Sequence, residues 1–553
     1  MPFLQFLFML TLVANMGDTG KVLIFPYALQ KTSRLMNLEN IAVMIADQGK
    51  HQVTVLLPSN MKSEEKVGVN YVYWSSPDNL TVDMSSLDKI QEVEKSVNLL
   101  KIAEDYCTGL LQGELIHELK VQHFDLFITD YMELCGRFLI DYFHIPTILY
   151  SNNGVAACWG EVYANNYAFV PHMFSHFTEK MSLTERLINA LWYLSVSSNF
   201  LSRGQQHLLS LKEKYNLDVP VDLKRAHERA SITFANTHFA LDYPQLFMPH
   251  IIPIAITRRA RPLTERQENF MNSSGNRGVI VVSFGSLVST MNEERAQTFA
   301  SAFSKLEQNV LWRNTGEQLP NLSTNVVQSD WLPQNDLLGH PQTKLFITHC
   351  GASGSLEAAY HGVPVIAMPL HMDQFHYAEL LVNRAKMGVK LDFQTVTEEQ
   401  LLEAIMTVIG DPFYTKNAQR ISRLMKDRPM GVKDTVNYWV DYVISHNGPM
   451  HLHSMAAYSL TQWQYLMLDV IALVAVVVVI VVVGTGGVIK LCFKRCKSCL
   501  RQWRLIFERF KTWLSKGEDG LKLSLFERLK TFLMPRKDSL VVSPEEVEIK
   551  KEN

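Results

Sequence analysis

Cysteine is scarce, seven in 553 residues, and no cysteine run has partner histidines at metal-binding spacing. A chain this long with so few cysteines gives no sign of a disulfide-stapled scaffold. One-sided charge is also missing, with a net of −2, and nothing before residue 490 suggests nucleic-acid binding. No internal repeat stands out. Long apolar runs number two. The first, FLQFLFMLTLVANMGDTG, is too short to span a bilayer and lacks a positive start, yet it ends in small residues and reads as a signal peptide over 1–17. The second, residues 467–489, carries only Asp469 near its start and predicts one C-terminal transmembrane helix.

What is present gives a topology. The segment KLCFKRCKSCLRQWR after the span marks the cytoplasmic side, so the protein is expected to be single-pass type I with its bulk in a lumen. Three glycosylation acceptors, Asn79, Asn272 and Asn321, all fall on that side. From Lys490 onward 16 basic residues face 9 acidic ones, a balance of +7 that leaves −9 for the rest. That basic tail suits anionic lipid headgroups. WRLIFERFKTWLSK and LKLSLFERLKTFLM within it have the apolar spacing of helices lying on a membrane. Cys492, Cys496 and Cys499 beside the span are either palmitoylation sites or free thiols. The terminal Lys550-Lys551-Glu552-Asn553 matches a dilysine retrieval signal, which places the protein in the endoplasmic-reticulum membrane.

At 47% hydrophobic, the chain has material for more than one core. KVLIFPYA, HQVTVLLP, NYVYW, FDLFITD and PTILYS alternate with helical stretches and predict a parallel α/β sheet in a first domain, 18–245. A charged stretch ending in Ser/Gly reads as a linker, 246–277. GVIVVSFGS opens a second α/β domain, 278–445, and 446–466 is a helical segment returning toward the membrane, ahead of the span and a tail at 490–553.

One stretch decides the function. WLPQNDLLGHPQTKLFITHCGASGSLEAAYHGVPVIAMPLHMDQ, residues 331–374, holds two strand–turn–helix units with polar residues at their turns. Ligands of open α/β sheets sit beyond the carboxyl ends of the strands, and helix N-termini favour phosphate. His349 and the small-residue turn Gly351, Ser353 and Gly354 therefore form a candidate diphosphate seat. Glu357, one turn into the helix, suits ribose hydroxyls, while Asp373 and Gln374 suit a sugar. Trp331 with Gln334 offers a flat ring and an amide to a nucleobase. Ser283, Gly285 and Ser286, at the end of VIVVSFGS, could donate to phosphate from across the cleft. A nucleotide-sugar site is the natural reading. No metal is expected there, because no DxD-like pair is placed at it and a helix N-terminus can stand in for a cation.

The stretch resembles the nucleotide-sugar signature of the membrane-bound animal UDP-glucuronosyltransferase-like family. The resemblance continues through VVSFGSLVSTMNEERAQTFASAF, VLWR, DPFYTKNAQRISRLMKDRP and WVDYVISHNG to SLTQWQYLMLDVIALV. It implies an α/β chain of two Rossmann-like domains facing a cleft (GT-B type), a UDP-sugar donor as co-substrate rather than a cofactor, and a small lipophilic acceptor. It leaves a homo-oligomer open. In relatives Asn occupies the place of Ser353, and a Gly-Gly pair the place of Pro253-Ile254. Relatives also use a histidine at the start of the first helix, oriented by an aspartate after the fourth strand, to deprotonate the acceptor. The aspartate is here as Asp130, but Arg34 fills the histidine's place. Arginine cannot act as a base near neutrality, and pairing with it should depress the pKa of Asp130. The expectation is an inverting transferase moving a hexose or glucuronic acid. The rival is a membrane-anchored nucleotide-sugar-binding protein impaired in catalysis.

Overall fold

Apolar runs buried on both faces make parallel strands. KVLIF is one: Val22, Leu23, Ile24 and Phe25 have no exposed surface. A computed structural model describes residues 19–27, 32–75, 99–154, 167–216, 228–286, 291–315, 319–320, 322–495 and 497–515. The expected signal peptide, Asn79, Asn321 and the dilysine terminus lie outside the described residues.

Among these residues the first sheet contains β1 (Lys21–Phe25), β2 (Gln52–Pro58), β3 (Val69–Trp74), β4 (Leu126–Asp130), β5 (Thr147–Ser151), β6 (Ile232–Ala235) and β7 (Ile251–Pro253). Its order is 3-2-1-4-5-6-7, and every pairing is parallel. The second sheet contains β8 (Val279–Ser283), β9 (Asn309–Arg313), β10 (Val326–Ser329), β11 (Thr343–Thr348), β12 (Val365–Ala367) and β13 (Gly388–Lys390), in the order 10-9-8-11-12-13, again all parallel. Both sheets are the expected Rossmann-like kind. Side chains alternate across the second sheet: Val279 and Val281 enter one core, Ile280 and Val282 the other.

Each sheet reverses direction of winding once, between β1 and β4 and between β8 and β11. Crevices open at such switch points, beyond the carboxyl ends of the strands. Asp130 ends β4, Ser283 ends β8, and His349 follows β11. The topology therefore places these three at the strand ends where such crevices open.

Some elements lie differently from the sequence expectation. β7 continues the first sheet past residue 245, and Ile254 N–H donates to the Ala235 carbonyl (2.9 Å), so the strand pairing runs through Pro253-Ile254. The helix Val432–Ser445 was expected in the second domain, but Val436, Val440 and Val443 are buried in the first core. Its apolar face matches the Ser33–Ala46 helix, and Asp441 bonds Lys50 and His51. Further on, the His453 ring stacks on His250 at 4.1 Å and bonds the Ser231 carbonyl at 2.8 Å. A disulfide, Cys107–Cys135, joins the helices Leu99–Leu111 and Leu134–Phe143. Among the described residues it is the single bridge, set within a large core.

The segment from residue 459 forms a compact unit of its own. Leu468–Cys492 is one helix of 25 residues with mean hydropathy 3.0. By length and composition it can cross a membrane. The helix Lys497–Ser515 follows.

Candidate active site

A cleft of about 2120 Å³ opens at the strand ends and takes lining from both sheets. All twelve residues assigned to the donor on sequence grounds line it, from Ser283, Gly285 and Ser286 through Trp331 and Gln334 to His349 and its turn, Glu357, Asp373 and Gln374.

The candidate diphosphate seat is built around His349. Gly285 (φ +85°) and Gly351 both lie close against the imidazole, so that a Cβ at Gly285 would come 2.4 Å and one at Gly351 2.6 Å from Nε2. Only glycine lets the backbone approach so closely. Burial, reinforced by the nearby His371 and Arg313, pulls the His349 pKa down to about 3. A hydrogen bond to the Ser283 backbone opposes that shift without reversing it, and the ring is neutral at pH 7 with one N–H. The helix Ala352–His361 starts beside it behind Gly351, which has no side chain to cap the first N–H groups. Those bare donors are the positive end of the helix dipole.

The residues expected to meet a nucleoside are equally connected. Gln334 Nε2 donates to Glu357 at 2.6 Å. Burial lifts the Glu357 carboxyl to about pH 7, against that hydrogen bond and the nearby Arg258. Trp331 keeps 52% of its surface exposed, a free face for stacking. Arg313 lies 5.7 Å from that ring and donates to the Gly285 carbonyl, which locks the β8 turn to the end of β9. Arg258 pairs with Asp336 (Nη2 to Oδ2, 3.0 Å), and Asp336 also accepts from the Arg261 N–H (2.9 Å). The linker is thereby fixed against the helix Gln334–Leu338. At the pair expected to meet a sugar, Gln374 Oε1 accepts the Leu370 and His371 N–H groups at 2.8 and 3.2 Å. Its amide group is held, and Asp373 beside it lines the cleft.

The opposite wall carries the first domain's contribution. Arg34 Nη1 donates to Asp130 Oδ1 at 3.0 Å, and Nη2 to Asn153. The guanidinium lines the cleft, whereas Asp130 is wholly buried behind it. The expected depression of the Asp130 pKa does not follow: burial outweighs Arg34 and the Met132 N–H, and the net shift is upward. Asp373 is shifted up for the same reason, with Arg34 partly opposing. Asp130 Oδ2 has no hydrogen-bond partner. Next to this cluster Glu133, also buried, is raised to about 8. Among the residues sequence reasoning missed, Asn152 and Asn153 follow β5 directly, so the strand-end rule that found the others could have found them. Arg313 had a signal too, a charge closing an apolar strand.

The model of the family "UDP-glucoronosyl and UDP-glucosyl transferase" matches residues 20–502. Among curated proteins, rabbit (Oryctolagus cuniculus) UDP-glucuronosyltransferase 2B13 is 33% identical over 501 residues, covering 85% of this chain and 92% of the relative. Mouse (Mus musculus) UDP-glucuronosyltransferase 1A1 is 32% identical over 520 residues, covering 90% and 95%. Among solved structures, a UDP-glucose: anthocyanidin 3-O-glucosyltransferase in complex with UDP superimposes with a TM-score of 0.54 at 16% identity, over 78% of this chain and 100% of that one. The calicheamicin glycosyltransferase CalG4 gives 0.51 at 19%, over 77% and 98%. These superpositions carry the GT-B fold alone. Family model and relatives together span nearly the whole globular part, and the chain belongs to the UDP-glucuronosyl and UDP-glucosyl transferase family as a UDP-glycosyltransferase.

Proposed function

We propose that this protein transfers a hexose or glucuronic acid, with inversion, from a UDP-sugar to small lipophilic acceptors that are nucleophilic without help from a base. The observation that carries this reading is Arg34, which occupies the cleft wall and holds Asp130 behind it. Direct displacement at the anomeric carbon inverts it. The electron pair of the breaking C–O bond goes to UDP, and the helix N-terminus, neutral His349 and the Ser283–Ser286 turn take up the charge. No protein atom needs to remove a proton first if the acceptor is a neutral amine. Its nitrogen becomes positive as the new bond forms and sheds its proton afterwards. Asp373 lines the cleft close to Arg34, where that cation develops, and the proton passes to water once the bond is made.

Arg34 also favours the rival reading, a donor-binding protein with little turnover. The two differ in outcome with amines, which the rival would not glycosylate. Both share the donor site. Trp331→Ala and Glu357→Ala should each weaken UDP binding by about 5- to 150-fold, the worth of ~1–3 kcal/mol for a good buried contact, measured by titration calorimetry. Unchanged affinity in both would remove the donor site from either reading.

The reading places the two domains in the endoplasmic-reticulum lumen. The Cys107–Cys135 bridge supports it, since disulfides persist in oxidising compartments. Protease on sealed microsomes should remove only the part after about residue 490. Both cysteines should resist thiol reagents until reduction. Digestion of the domains without detergent would put them in the cytosol. For the lipid partner, Trp503, Ile506, Phe507 and Phe510 fall at helical spacing in the Lys497–Ser515 helix among Arg501, Arg504, Arg509 and Lys511, the pattern of a helix resting on anionic headgroups.

A further inference from the structure

The Ser33–Ala46 helix carries Arg34 and Asn37 one turn apart, on the same face. Arg34 reaches Asp130 within its own domain. Asn37, buried, does something different: its Nδ2 lies 3.0 Å from Ser353 Oγ, a residue 316 positions away at the start of the candidate diphosphate helix. The same nitrogen lies 2.9 Å from Asn152 Oδ1 and 3.0 Å from the Tyr150 hydroxyl, and that hydroxyl in turn donates to Asn152 Oδ1 at 3.0 Å. An amide nitrogen has two protons: one goes to Asn152 Oδ1, which the Tyr150 hydroxyl also reaches, and the other crosses the cleft to Ser353 Oγ.

A serine hydroxyl has one proton and two lone pairs. By accepting from Asn37, Ser353 Oγ commits a lone pair to the first domain and keeps its proton to give away. Ser353 lines the cleft, beside the uncapped N–H groups behind Gly351. We infer that Asn37 is a positioning residue for the donor diphosphate: it orients the Ser353 hydroxyl as a donor to a phosphate oxygen and ties closure of the two domains to occupancy of that seat. This rests on the donor-site reading above. Because Asn37 and Arg34 share a helix, the diphosphate seat and the acceptor wall are then set by one rigid element.

Binding of UDP and of uridine to the full-length protein in detergent separates this role from a structural one. Asn37→Ala should weaken UDP about tenfold, the scale of one hydrogen bond to a charged group, and leave uridine, which has no diphosphate, unchanged. Ser353→Ala should do the same, Ser353→Thr should retain affinity, and the Asn37→Ala/Ser353→Ala pair should be no worse than Ser353→Ala alone. An equal loss for uridine, or additive losses for UDP, would mean that Asn37 only packs its own domain and would overturn the inference. Trp331→Ala is the control. If it weakens both ligands while Asn37→Ala binds UDP as wild type does, the inference alone fails. If neither ligand responds to Trp331→Ala, the donor site lies elsewhere and both readings fall.

Discussion

Arg34→His should raise the rate of transfer to ordinary phenols by about tenfold or more. A positioned general base is worth ~10²–10⁴-fold, and the gain stays at the low end because this pocket is shaped around a guanidinium. The geometry favours the substitution. Arg34 stands at the first turn of its helix with its head on Asp130 Oδ1, 3.0 Å away. An imidazole is shorter, so the change vacates cleft volume and leaves Asp130, whose Oδ2 is already without a partner, to accept from the ring. Asp130→Asn should then cost the histidine variant far more than it costs the wild type, in which Asp130 orients no base. Initial rates with a phenol and an arylamine check both statements. Equal phenol rates for wild type and Arg34→His would place the base elsewhere.

Gly285→Ala should abolish measurable UDP-sugar transfer, with UDP binding weakened by about 100-fold or more. Two penalties act together. At φ +85° a side chain is strained whatever room it has. The added methyl would also fall 2.4 Å from His349 Nε2, well inside contact distance. The imidazole is crowded at Gly351 as well, where an added Cβ would come 2.6 Å from the same Nε2. The seat for the departing diphosphate would be rebuilt, and interactions made at the leaving group are those that set the rate. Calorimetry with UDP, alongside circular dichroism to show that the fold persists, checks this. Normal UDP affinity in a folded Gly285→Ala protein would show that His349 does not lie at the phosphates.

Much of this site could be read from the chain because strand ends are legible. β4, β8 and β11 are continuous apolar runs, and each stops at a polar residue that the switch-point rule assigns to the cleft. β6, β7, β10 and β13 are three or four residues long, too short to show a period, and none was anticipated. The helix Val432–Ser445 has the right amphipathic pattern, but a pattern does not say which core it enters, and it crosses back to the first. Asn37 sits inside a helix and finds Ser353 across 316 residues, so nothing local marks it. The Cys107–Cys135 pairing was equally hidden, since spacing alone does not determine connectivity. The sign of the Asp130 shift was misjudged for a physical reason. Sequence names the neighbouring charge but not the burial, and burial is the larger of the two.

If the wild-type enzyme supplies no base to its acceptor, the pH dependence of transfer shows it. With saturating donor, the rate with an arylamine should stay flat from about pH 6 to 9, because its neutral form already dominates there. The rate with a phenol should start at least tenfold lower and climb with each unit of pH, following the phenolate, whose pKa is about 10. A phenol rate that matches the amine and levels off near neutrality would reveal a titrating base in the cleft and contradict the account.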